Sequence, residues 1–129
     1  MEYAIVQNVN TDFETTVAKL RALLPSNGFG ILTEIDVSAT LKKKLDVTYP
    51  RTLILGACNP PIAHQALLAD PNIATLMPCN VVVRENNEGG VEVAIGNFSA
   101  MARMMPNDAL APVIDQAQER MDNILKQLV

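Results

Sequence analysis

Residues 52–69 read "TLILGACNPPIAHQALLA", and that stretch leaves the backbone little choice. Its first seven residues, Thr52–Cys58, form an apolar run too short for a core helix and of the right length for a strand buried on both faces. Asn59 is a preferred N-cap, and Pro60 suits the first helical position, where a missing N–H costs nothing. "PIAHQALLA" then continues as a helix. A buried strand therefore runs straight into a helix, and such a strand demands a sheet around it and helices to cover it.

The rest of the chain supplies both. Glu2–Gln7 reads as a first strand. Thr11 and Glu14 have capping-box spacing ahead of Phe13, Val17, Leu20 and Leu24, and Pro25, Asn27 and Gly28 are expected to stop that helix. "GILTEIDV" (30–37) is a second strand with Ile31, Thr33 and Ile35 on one face, and Ser38 is expected to cap a short helix through Leu45. "CNVVVRE" and "VEVAIGNF" are strands of a hairpin joined through "NNEGG". Leu110, Val113, Ile114, Ala117, Met121, Ile124, Leu125 and Leu128 mark one stripe of an amphipathic C-terminal helix, with Pro112 in its first turn. The order is β-α-β-(α)-β-α-β-β-α. It implies an α+β fold: one two-layer domain over residues 1–129, with a mixed or antiparallel sheet and helices mostly on one face.

Composition narrows the function classes. The chain of 129 residues is 49 % apolar and 19 % charged, enough for a real core and too sparse in charge for a disordered segment. Net charge is −4, and basic residues cluster only at 42–44, so no phosphate-neutralising face exists and nucleic acid is not an expected partner. No 18-residue apolar run and no charged segment leading into an apolar signal region occur, which gives a soluble, cytoplasmic protein as the expectation, with no membrane partner. Two cysteines make no disulfide framework, so reduced thiols are expected.

"GFGILTEIDVSATLKKKL", "ILGACNPPIAHQAL" and "LMPCNVVVRE" resemble the domain-of-unknown-function family 302. Its pattern runs Gly-Phe-Gly, a Thr-Glu-Ile-Asp strand, a Gly-Ala-Cys-Asn-Pro turn and a Pro-Cys-Asn strand. Three motifs in order, over most of the chain, make the resemblance specific. It implies a small α+β domain, commonly an oligomer in related proteins, and hence a homodimer as the expected assembly. It implies no established activity.

Two of the recognised motifs contain Cys-Asn, and that repetition picks out the candidate site: Cys58, Asn59, Cys79 and Asn80. Cys58 ends a strand one residue before a helix N-cap, where unpaired N–H groups and the helix dipole favour a thiolate. Pro60 and Pro61 remove two of those donors. Cys79 opens its strand, so if the two strands are neighbours the pairs converge. The structural reading is that both cysteines are small core residues and both asparagines serve turns. Glu34 and Asp36, at i and i+2 on a strand about 6.6 Å apart along the backbone, are further ligand-binding candidates. The same pair also describes a solvent face, and Asp36 can serve the turn into the next helix.

Other chemistry finds less support. Two thiolates would need further metal ligands, and His64 is the only histidine, so no metal site is assigned. No Cys-x-x-Cys, phosphate loop or triad accompanies the cysteines, and no catalytic residue is assigned. Met77, Met101, Met104 and Met105 suit an adaptable pocket, a core or a subunit interface. The expected function is a binding module for an unidentified small molecule or cofactor, held around the two Cys-Asn pairs. Haem, with His64 or a cysteine as axial ligand, is a candidate cofactor without an attachment motif. The alternatives are a thiol-dependent enzyme or redox protein using Cys58, and a structural or interaction protein with no small-molecule site.

Overall fold

The computed structural model describes residues 2–129, and its secondary structure follows the expected order with two additions, a 3₁₀ turn before the hairpin and a short helix after it. Strand β1 (Ala4–Val9) leads to helix α1 (Phe13–Ser26), β2 (Gly30–Asp36), α2 (Val37–Leu45), β3 (Thr52–Cys58) and α3 (Pro60–Ala69). A 3₁₀ turn over Pro71–Leu76 precedes the hairpin β4 (Cys79–Glu85) and β5 (Val91–Gly96); then come α4 (Phe98–Ala102) and α5 (Leu110–Gln127). The strands form one sheet in the order β1-β5-β4-β3-β2, antiparallel at every pairing. The fold is α+β, with the alternating burial of β4 showing one face against the helices: Val81 and Val83 are fully buried while Val82 between them is not.

The core forms where α1 and α5 lie on that face. Leu20 and Leu24 of α1, Val81, Val83 and Val93 of the sheet, and Met121 of α5 are all 0 % exposed. The α5 stripe is as expected, and Pro112 sits in its first turn. Gln118, a buried polar residue on the same helix, has a separate duty. Its side-chain oxygen accepts the N–H groups of Phe98 (2.7 Å) and Ser99 (3.2 Å), the unpaired first donors of α4. Asn97 caps that helix at Ala100 N–H (3.2 Å), so "NF" leaves the strand to which the sequence pattern assigned it.

Three local expectations are corrected. Asp12, not Thr11, caps α1, accepting Thr15 N–H at 2.7 Å; Thr11 bonds the Thr16 hydroxyl instead, and Glu14 pairs with Arg51. Asp36, not Ser38, caps α2, accepting Ala39 N–H and the Ser38 hydroxyl, both at 2.9 Å. A carboxylate is a stronger acceptor than a nearby hydroxyl, and in each case wins the cap. Pro25 does not stop α1 but sits in its last turn. The stop is Gly28 at φ +87°, with Phe29 N–H returning to Leu24 C=O (2.8 Å) and Gly28 N–H to Pro25 C=O (3.0 Å). That is a Schellman ending, which favours glycine in the left-handed position.

A register shift separates Ile31 from Thr33 in β2: Ile31 pairs with Ala57, Thr33 with Gly56, and Leu32 is extra. A bulge of this kind reverses the alternation, so Ile31 and Thr33 face opposite sides rather than sharing one.

Candidate functional site

Strands β3 and β4 are antiparallel neighbours, so the end of one meets the beginning of the other. Ala57 pairs with Cys79 and Gly56 with Asn80. The convergence of Cys58 and Cys79 therefore holds, and both thiols are free. They line one cavity at this end of the sheet, where α3, the 3₁₀ turn, α4 and the start of α5 close over it. Its volume is about 80 Å³, smaller than the usual site for a drug-sized ligand. Leu76, a lining residue that is half exposed, stands at its mouth.

The walls are almost wholly apolar. Phe29, Ile62, Ile73, Met77, Phe98 and Ile114 supply bulk, while Ala57, Ala63, Ala66 and Ala117 leave the space. The side chains of Cys58, Cys79 and Asn59 are the exceptions, and Asn59 is already engaged: its oxygen accepts Ile62 N–H at 3.1 Å. Because residues 60 and 61 are prolines and Ala63 N–H goes to Asn59 C=O, the first turn of α3 has no N–H left for an anion. Burial, then the proximity of Cys58, pushes the Cys79 thiol up to about 11, so near neutral pH it is protonated. The cavity is therefore lined by apolar groups and neutral thiols, with no free N–H of the α3 terminus facing an anion.

The recognised motifs prove to be one packed unit. Asn59 Nδ2 and Arg120 Nη1 both approach within 2.8 Å of where a Cβ on Gly28 would stand, and Arg120 donates to Asn27 C=O at 3.2 Å. A Cβ on Gly56 would lie 2.1 Å from the Thr33 hydroxyl and 2.8 Å from Pro78 Cγ. Gly28 thus touches the Asn59 turn, while Gly56 lets β2 and the Met77–Pro78 segment close on β3. These glycines are needed because other motif residues occupy their missing side chains.

The remaining predicted residues lie elsewhere. Asn80 is exposed and pairs with Gly56, so the two Cys-Asn phrases differ in role: Asn59 caps a helix inside the cavity wall, and Asn80 lies outside it. Glu34 forms an exposed ion pair with Arg21 of α1, whose hydrogen bond holds its carboxyl below the usual range. Asp36 is likewise held low, chiefly by Ala39 N–H and then by Ser38, as an N-cap. Glu34 and Asp36 are not brought to the cavity. His64 is exposed on α3 and is not a lining residue. Of the four methionines, Met77, Met101 and Met105 line the cavity, whereas Met104 is 74 % exposed. Sequence reasoning missed Phe29, Ile62 and Ile73; the available signal was the alanine spacing at 63 and 66 on the inner side of α3. Among the described residues, no three of His, Cys, Asp or Glu gather as a metal site, and no helix is long and apolar enough to cross a membrane.

The family whose model matches residues 5–128 is described as "Domain of unknown function DUF302". The chain belongs to this family. It is also similar to the crystal structure of uncharacterized conserved protein DUF302 from Bacillus stearothermophilus, with a TM-score of 0.93 at 24 % identity and coverage of 100 % of each chain. That likeness shows the fold. No curated protein matches the chain.

Proposed function

We propose that this DUF302 protein is a binding module for a small, uncharged and largely apolar molecule, held in the cavity at the Cys58–Cys79 end of the sheet. The observation that carries the reading is the lining: a cavity of about 80 Å³ walled by aliphatic, aromatic and thioether groups. The two thiols serve as soft contacts at its sheet side. A thiol enzyme using Cys58 has less support, because the α3 N-terminus beside it has no N–H left to stabilise a thiolate. The same reading places the protein in the cytoplasm with both thiols reduced, and the net charge of −4 favours no nucleic-acid partner.

Titration with N-phenyl-1-naphthylamine, a neutral apolar fluorophore, tests this. Saturable one-to-one binding is expected in the native protein. Ala63→Phe, which fills space at the lining, is expected to weaken it at least tenfold while circular dichroism stays unchanged. Non-saturable binding, or equal affinity in the variant, would sink the reading.

A further inference from the structure

The chain holds two cysteines and six methionines, and the carriers of five of those sulfur atoms line one cavity: Cys58, Cys79, Met77, Met101 and Met105. They reach it from two sides. Cys79 opens β4 and pairs with Ala57, which is 0 % exposed, so its side chain shares the face that the helices cover. Met77 lies two residues before it. Cys58 follows Ala57 along β3, and strand alternation sets it at the rim rather than facing inward. From the helix side come Met101 of α4 and Met105, four residues on in the turn that continues that helix. Met77 and Met105 both pack against the cluster of Ala66, Ile73, Leu110 and Ile114. The cavity's volume of about 80 Å³ is ample for one bare ion and too small for a fully hydrated one, since each water takes about 30 Å³.

We propose that this cavity is a copper(I) site, with the Cys79 thiolate as its anionic ligand and Met77, Met101 and Met105 as neutral thioether ligands. Charge and softness choose the ion. No Asp, Glu, Lys, Arg or His lines the cavity, so a monovalent cation on one thiolate leaves no charge stranded in apolar surroundings. A dication balanced by both thiolates would lack the nitrogen or oxygen donors that complete a zinc tetrahedron. Thiolate with thioether is the donor set that selects copper(I). Binding exchanges one proton for one ion: the Cys79 S–H bond breaks, a Cu–S bond forms, the proton leaves to solvent, and copper stays monovalent throughout. Thioethers fall outside the His, Cys, Asp and Glu set among which no metal cluster gathers. The sequence reading assigned no metal because it sought further ligands around His64; the sulfur set assembles only when α4 closes over the end of β4.

The experiment is anaerobic titration of the full chain with copper(I), supplied as its acetonitrile complex in competition with bathocuproine disulfonate. One ion per chain is expected, with one proton released and only sulfur neighbours in the copper X-ray absorption spectrum. Loss of an outer-shell partner alone costs about 10–100-fold in metal affinity, so loss of direct ligands is expected to cost about a hundredfold or more. Cys79→Ser should show that loss, and so should the volume-conserving double variant Met101→Leu/Met105→Leu, with circular dichroism unchanged. Cys58→Ser should bind as the native chain does. Should Cys79→Ser unfold, the double leucine variant and the absorption spectrum decide the matter. Native affinity in the double leucine variant would mean ordinary binding to a thiol and would overturn the proposal. Nitrogen or oxygen neighbours at the copper, or binding lost in Cys58→Ser and kept in Cys79→Ser, would overturn it too. The site shares the cavity with the apolar guest but does not rest on that reading. Leucine at 101 and 105 keeps the wall apolar, so that variant should still bind N-phenyl-1-naphthylamine, and failure with either ligand is read separately.

Discussion

The two ends of the helix layer are built from the same kinds of element and packed to different densities. Over β4 and β5, Leu20, Leu24, Met121 and Ile124 press onto Val81, Val83 and Val93, none more than 1 % exposed. At the other end the layer is α3, a 3₁₀ turn and the five-residue α4, with Ala57, Ala63, Ala66 and Ala117 where the first end has leucine, valine or methionine. The alanine methyls leave a cavity that the short elements around it cannot collapse to fill. One end is close-packed, and the other gives up packing to keep a cavity open, which the proposed binding function would use.

If that contrast is right, equal insults at the two ends should have unequal effects. Leu20→Ala opens a void in close-packed surroundings and is expected to cost about 3–4 kcal/mol. Met105→Ala borders space that already exists, and its flexible chain is partly buried, so about 1–2 kcal/mol is expected. Urea unfolding at neutral pH checks both. Equal losses would mean that the cavity collapses in solution and that the ends do not differ.

The next largest effect is electrostatic and belongs to the cavity end alone. Burial raises Cys79 to about 11 from an ordinary 9.0, so the folded state holds its proton more tightly than the unfolded chain does. By linkage, that contribution is fully present below pH 9 and is lost as pH rises from 9 towards 11. Two units correspond to at most about 3 kcal/mol. Because tyrosines and lysines titrate in the same range, the measurement is a difference: the fall in unfolding free energy between pH 8 and pH 11 should be smaller in Cys79→Ala than in the native chain. Identical slopes would place Cys79 in water and remove it from the cavity wall.

A smaller effect concerns the joint between the two ends. Gly28 has φ +87°, and both Asn59 and Arg120 occupy the volume of a Cβ there. Gly28→Ala is expected to cost about 1–2 kcal/mol from left-handed strain and displaced contacts. Because Asn59 is in the cavity wall, the variant should also weaken N-phenyl-1-naphthylamine binding. A Gly28→Ala protein with native affinity would show that the Asn59 turn holds its shape without that contact.

How much of this was legible follows from the range of each interaction. Periodicity reports which side of an element faces the core, so the C-terminal stripe and the β3–α3 junction could be read directly. Caps depend on which of two nearby acceptors the backbone reaches, and Asp12 and Asp36 each took the cap from a hydroxyl one or two residues away. The bulge at Leu32 is a cross-strand property invisible in either strand alone. At the site, the convergence of Cys58 and Cys79 needed only the neighbouring of two strands. Asn80, Glu34 and Asp36 were drawn in by local pattern, and only the register shows them outside the cavity. The cavity itself is an absence of volume, which the sequence states only as alanines where larger residues would also suit the helix.

The smallest expected effect on stability is the sharpest test of the two ends, because its sign is at stake. In a closed core, adding a branched side chain in place of alanine forces neighbours off their rotamers and costs about 1–3 kcal/mol. Ala66 is only 4 % exposed, so by burial alone it belongs to such a core. Yet it lines the cavity, and the side chain of Ala66→Leu has space to enter. The expected change is therefore within about 1 kcal/mol of zero, and stabilising if the added methyl groups meet the far wall. Affinity for N-phenyl-1-naphthylamine should fall in the same variant, since leucine occupies the guest's volume. A loss of stability with binding intact would mean that Ala66 is packed like Leu20 and that the guest sits elsewhere. Native stability with weakened binding would show that the space at this end is kept open by small side chains.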